Sequence, residues 1–166
     1  MDARRLSGRA VTRLAALAVA ALAASGATCE DGGTGPDAEL IAELSAARAR
    51  WEAQGYTDYT LTLRHDCFCG ETHRGPVVVS VRSDQIVTRV YQSTGEPVPT
   101  DPARFFPDVE GLFAFIAQSL TQHPAQIRAE FHPELGYPTE IFVDFSANIA
   151  DEERGYLILG LDPLRS

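Results

Sequence analysis

Lysine is absent from this 166-residue chain, so every fixed positive charge is an arginine. A GC-rich coding sequence explains that better than any physical requirement. Fourteen arginines stand against 23 acidic residues, a formal charge of −9. An acidic surface repels phosphate backbones, which argues against nucleic acid as a partner, and it favours solubility over flat adhesion to anionic lipid. The sequence also lacks a G-x-S-x-G elbow, an HExxH helix, a Walker loop and a Rossmann glycine pattern, so the local marks of several large enzyme classes are missing. Ser-His-Asp sets gathered from distant positions leave no such mark, but nothing singles one out. Neither catalysis nor a cofactor is expected.

Long apolar runs are equally scarce. The one near the N-terminus, Leu14 to Ala24, follows Arg4, Arg5, Arg9 and Arg13 and precedes small residues. It is too short for a permanent membrane helix and has the layout of a secretory signal. Cleavage after Ala23 or Ala27 fits an A-x-A-like site; the third possibility is lipid attachment at Cys29, although Gly26 and Thr28 depart from the usual lipobox. Cysteine arithmetic bears on the choice. Three cysteines in an exported chain leave one over, and lipid on Cys29 leaves Cys67 and Cys69 as an even pair. The expected organisation is therefore a signal segment over 1–28, a flexible tether over 29–36 and one domain over 37–166. Without the signal segment, ten arginines face 22 acidic residues, a charge of −12.

Periodicity divides the remainder. Leu40, Ile41, Leu44, Ala47 and Trp51 recur at helical spacing between a candidate cap at Asp37 and a stop at Gly55. From Tyr59 the period becomes two, with Leu61, Leu63, His65, Cys67 and Cys69 on one face of a strand. VVVSVR and QIVTRVY, separated by Ser83 and Asp84, read as a hairpin. The proline-rich STGEPVPTDPARFFPD reads as loop. Asp108 then caps a helix with Val109, Leu112, Phe113, Ile116 and Leu120 as its stripe. QIRAEFH and TEIFVDF form a second hairpin around ELGYP, and RGYLILGL ends the chain as a buried strand. The order α-β-β-β-α-β-β-β predicts an α+β fold: a two-layer sandwich of two helices on an antiparallel sheet of about six strands.

Several segments together carry a resemblance: Trp51, Tyr56 and Tyr59, CFC at 67–69, PVVVSV at 76–81, GLFAFI at 111–116, HPELGYPTEIFVD at 132–144 and DEERGY at 151–156. Over about residues 48–161 the chain resembles a family of small bacterial envelope proteins, many of them lipoproteins, whose domain has no assigned function. The resemblance implies an exported, lipid-anchored domain. Members often have Tyr-Asp-Pro ahead of the Gly-Tyr-Pro turn, where this chain has Phe131, His132 and Pro133. A carboxylate ligand or acid at that place is thereby ruled out.

Chemistry concentrates in HDCFCGETH, residues 65–73. Cys67 and Cys69 would lie roughly 6.6 Å apart on an unbroken strand, at the upper edge of disulfide geometry, so a bridge requires a bend near Gly70. A disulfide is the favoured reading. A redox pair would need a thiol of lowered pKa, and Asp66 and Glu71 oppose that, while Arg64, Arg74 and His65 favour it only if they fold inward. A metal version uses His65, Cys67, Cys69 and His73, ligand types that suit zinc or copper(I), without the usual CxxC spacing. The ordinary alternatives are a core-edge His65 and a solvent-facing His73. Asp144, Asn148, Asp151, Glu152 and Glu153 form an acidic stretch that lacks EF-hand spacing; Asp144, Asp151 and Glu152 are its weak cation-ligand candidates, and a solvated turn is the simpler account. Tyr56, Tyr59, Tyr137 and Tyr156 suit a core more than a binding surface. The expected protein is an exported, lipid-anchored monomer of the bacterial envelope, secreted or periplasmic if Cys29 stays unmodified. It binds or scaffolds a protein or small molecule, with thiol–disulfide redox or metal handling by Cys67 and Cys69 as the alternative.

Overall fold

A computed structural model of the chain describes residues 36–164. The signal segment, Cys29 and nearly all of the tether lie outside the described residues. Helix α1 (Pro36–Gln54) starts two residues earlier than a cap at Asp37 implies, so Asp37 joins Glu39 in the first turn, where a carboxylate still favours the helix dipole. Gly55 ends it as expected, at φ 65° with its N–H on the Glu52 carbonyl at 3.1 Å. Leu40, Ala47 and Trp51 are buried and Leu44 packs against the core. Ile41, included in the stripe from its spacing, is 53% exposed. Positions 40, 44, 47 and 51 already complete one face, and 41 lies about 100° round the helix from 40.

Strands β1 (Tyr59–Cys67), β2 (Val77–Arg82) and β3 (Gln85–Tyr91) form the first meander. Ser83 and Asp84 both take positive φ, 49° and 59°, which matches the twist of a two-residue hairpin. The proline-rich segment is not wholly loop: α2 (Thr100–Ala103) lies within it. One turn is too short to show a helical period. Pro102 sits in the first turn, where a missing N–H goes unused. Helix α3 (Val109–Thr121) buries Val109, Leu112, Phe113 and Ile116, and the Asp108 side chain accepts the Gly111 N–H at 2.8 Å.

Strands β4 (Gln126–Phe131), β5 (Pro138–Asp144) and β6 (Arg154–Pro163) complete one open antiparallel sheet in the order β3-β2-β1-β6-β5-β4. The fold is α+β with three helices among the described residues, one more than expected. The first strand of one meander lies beside the last strand of the other. A tandem duplication would equate β1 with β4, yet one is central and the other is an edge, so the repeated order of elements does not reflect repeated positions.

Strand β6 is not buried on both faces as RGYLILGL suggested. Its pairing with β1 shifts by one residue between Thr62 and Leu63, which leaves Leu159 as the extra residue and 50% exposed. Leu161, opposite Leu61, points toward the core, and so do Ile158 and Tyr156. The bulge changes which alternate residues face inward, and this produces the continuous apolar run.

Trp51 organises the centre. Its ring meets Tyr59 edge-on at 5.3 Å and Tyr137 at 6.3 Å, and the Tyr59 hydroxyl oxygen accepts the Val109 N–H at 3.3 Å. Burial pushes the Tyr59 pKa well up. Tyr59, Tyr137 and Tyr156 are all buried, as a core role predicts. The Gly-Tyr-Pro turn reaches α1 through Gly136: at φ 85°, a β-carbon there would lie 2.2 Å from the Ala47 carbonyl oxygen and 2.8 Å from the Trp51 nitrogen.

Replacing Gly136 with alanine therefore forces both a left-handed backbone and an overpacked contact. The expected cost is about 3 kcal/mol, read as a lowered urea midpoint with unchanged slope. Gly95→Ala, where nothing lies within 4 Å of the added carbon, should cost about 1 kcal/mol; equal losses would contradict this packing.

Candidate functional site

The end of β1 and the turn after it assemble the HDCFCGETH cluster. In the β1–β6 ladder His65 lies opposite Tyr156. Its imidazole is stacked on Phe105 at 5.2 Å and 9° and on Tyr156 at 5.1 Å and 28°. Only 4% of the residue is exposed, so it is the core-edge histidine of the simpler reading. Nδ1 lies 3.0 Å from the His73 carbonyl oxygen and 3.4 Å from Cys67 Sγ. A carbonyl only accepts, so Nδ1 carries the proton and donates it. The His65 backbone N–H also donates to the Arg74 carbonyl, at 2.8 Å. Both bonds pin the 3₁₀ turn Glu71–His73 against β1. Burial pushes the His65 pKa below its ordinary value; the bond to His73 acts in the opposite direction, and Arg154 disfavours the charged ring further.

The alternation stops at Cys67, the last residue of β1. Phe68 and Cys69 lie in a bend, so Cys69 does not continue the inward face as expected. The bend brings the two Cα atoms to 5.3 Å and the sulfurs into contact. Phe68, between them, is 74% exposed.

His73 departs from both of its readings. Its side chain is 29% exposed, with Nε2 at 3.7 Å from Asp101 and the ring edge against Phe105. It gives His65 a carbonyl rather than a second imidazole. Among the described residues, the one group of three with metal-ligand atoms close together is His65, Cys67 and Cys69, within 4.8 Å. The four-ligand set thus falls to three, and its imidazole Nδ1 is occupied by a proton. Asp144, Asp151 and Glu152 are not gathered into a ligand set. Asp144 Oδ1 instead accepts the Ser146 N–H at 3.0 Å, and Glu152 Oε1 is buried without a hydrogen-bond partner, beside Gln118, Gln122 and Arg154.

His132 has a local role that its sequence position did not suggest. Nδ1 accepts the N–H groups of Glu134 and Leu135 at 3.3 and 3.0 Å, as a short carboxylate would in an Asx turn.

Sequence reasoning missed a cavity of about 350 Å³ on the outer sheet face, lined from β1, β5 and β6 by residues that alternate with the core side chains. Cys67 and Phe68 line one side; Phe142, Gly155 and Leu157 line it with Arg64, Asp66 and Glu140. Gly155 pairs with Asp66 on one neighbour and Phe142 on the other, so the position between two large side chains has none. A β-carbon at Gly155 would lie 2.2 Å from the Ile141 carbonyl oxygen. Arg64 donates to both carboxylate oxygens of Asp66, at 2.9 and 3.2 Å.

Fold and site together define an α+β protein with one open antiparallel sheet and a histidine–cysteine cluster at the end of a central strand. Residues 43–163 match the family of unknown function DUF6174, and the chain belongs to that family. No curated protein and no solved structure matches the chain.

The buried neutral His65 makes stability depend on pH. The unfolded chain takes up a proton near the ordinary histidine pKa of about 6.5 while the folded ring resists it, so this contribution is present above that pH and is lost as pH falls below it. Urea midpoints between about pH 7 and 5 should decline in the native chain, and His65→Phe, which keeps an aromatic ring in the stack, should flatten that decline. An unaltered slope would mean that His65 is not the titrating group.

Proposed function

We propose that this is an exported protein of the bacterial cell envelope, held to a membrane by lipid on Cys29 and acting as a monomeric binding or scaffolding domain. In this reading the fold works as a two-layer sandwich: α1 and α3 contact the β4–β5 side of the sheet, and the opposite face is the working surface. The carrying observation is the cavity on that face beside Cys67 and Phe68. It is concave, part apolar and part charged, as small-molecule sites commonly are. Cys67 and Cys69 are joined in a disulfide; their Cα separation of 5.3 Å lies within the range such bonds adopt. So small a ring restrains the unfolded chain little, by about 1–2 kcal/mol, and its main effect is to fix the bend that carries Phe68.

A second reading, thiol–disulfide redox or metal handling, draws on the 3.4 Å approach of His65 Nδ1 to Cys67 Sγ. After reduction the same N–H can turn from the His73 carbonyl toward a thiolate.

Intact-mass spectrometry of protein from membrane and soluble fractions, with alkylation before and after reduction, separates these readings. The expected result is a lipid-sized adduct on Cys29 and no alkylation of Cys67 or Cys69 until reductant is added. Unmodified Cys29 in a fully soluble protein would remove the anchor. Two free thiols before reduction, or a zinc or copper mass under non-denaturing conditions, would favour the second reading.

A further inference from the structure

We infer that the cavity on the outer sheet face binds a compact organic cation with an apolar body, with Phe68 forming one wall. This rests on the binding role proposed above and names the ligand class. Four carboxylates border the cavity, Asp66, Glu140, Asp151 and Glu153, against two guanidinium groups, Arg64 and Arg154. Arg64 is already engaged by Asp66. Among the lining residues Glu140, Asp151 and Glu153 then face Arg154 alone, with Arg128 outside the lining on the Phe142 ring, so the lining favours a positive charge and opposes an anion.

The apolar part is aromatic. Phe68 and Phe142 both line the cavity, with Leu157 between the charged groups, and a phenyl face attracts a cation through its quadrupole. Phe142 already does so on one side, with the Arg128 guanidinium carbon 4.8 Å from its ring centre. Phe68 is the unusual member. A phenyl ring left 74% exposed at the tip of a bend contributes little to the core, and a ligand in the cavity would cover part of it. Because Cys67 and Cys69 flank Phe68, closing or opening the proposed disulfide moves this wall. Gly155 lines the cavity between Asp66 and Phe142 without a side chain of its own, so the ligand body would rest against backbone there. A volume of about 350 Å³ suits a molecule of small-metabolite size.

The test is a titration of the ¹⁵N-labelled purified protein with three probes of one shape: benzyltrimethylammonium, benzyl alcohol and phenylacetate. The expected result is that the ammonium probe alone shifts the Phe68, Gly155 and Leu157 amides in a saturable way. Phe68→Ala and Glu140→Gln should each weaken it roughly tenfold, with melting temperatures close to that of the native chain because both side chains contact little of the core. Reduction with a phosphine should weaken it as well. Saturable shifts with benzyl alcohol or phenylacetate at equal or greater affinity would overturn the cation assignment and leave the binding role intact. Unchanged affinity in Phe68→Ala would overturn the wall assigned to that ring. If no probe perturbs the cavity while fragments of other chemistry do, the ligand class is wrong; if no fragment of any charge binds there, the binding role falls with it.

Discussion

The ladder between β1 and β6 is the interaction on which the rest of this structure depends. It joins residues 59–67 to residues 154–163 and makes one sheet from two three-stranded meanders. Each meander can close locally through its own turns, but neither alone buries the apolar side of its innermost strand. The register also builds the site: His65 comes opposite Tyr156, Asp66 opposite Gly155 and Cys67 opposite Arg154. A slip of one residue would turn these side chains to the other face. The bulge at Leu159 sets that register, because it lets Leu161 and Ile158 both face inward although their positions differ by an odd number.

Around this ladder the aromatic contacts divide the labour. Trp51, Tyr59 and Tyr137 hold α1 to the sheet and to the Gly-Tyr-Pro turn. Phe105, His65 and Tyr156 stack across β1, β6 and the segment after α2. Replacing one ring in that stack with imidazole costs desolvation, and the His73 carbonyl offsets it by accepting the ring N–H. The same bond fixes the turn that follows Cys69. A buried polar residue thus restrains the chain where the strand ends, and the proposed disulfide would do the same beside it.

What was legible in the sequence was what depends on nearby residues. The Asp108 cap, the Gly55 stop, the Ser83–Asp84 turn, the α3 stripe and the inward alternation of Tyr59, Leu61 and Leu63 each follow from local period or backbone preference, and the structure has them all. Ile41 failed because spacing alone does not locate the centre of a helical face. Helix α2 failed because a single turn among prolines has no period. A bend was foreseen only as a condition for bridging Cys67 to Cys69, and it was placed near Gly70, whereas it falls at Phe68 and Cys69. The cavity was beyond reach, since Arg64, Phe142 and Gly155 come from three strands whose neighbours are decided by the β1–β6 pairing, and no local pattern encodes that pairing.

The outer face then shows which departures from a regular sheet matter. A sheet covered on one side normally turns polar residues to water, and Thr60, Thr62, Arg64 and Asp66 on β1 do so. Phe142 and Leu157 do not, and they come together where Gly155 removes a side chain and where β1 breaks at Cys67. Either irregularity alone would have an ordinary structural explanation: the glycine admits the Ile141 carbonyl, and the bend ends a strand. Their coincidence beside an exposed phenylalanine produces a concave, mixed apolar and acidic surface at the end of β1. Packing on the helix side does not require that arrangement, since the core side chains Leu63, Ile141 and Val143 point the other way. For that reason the outer face, more than the histidine–cysteine cluster by itself, is where the sequence of this protein departs from what its fold demands.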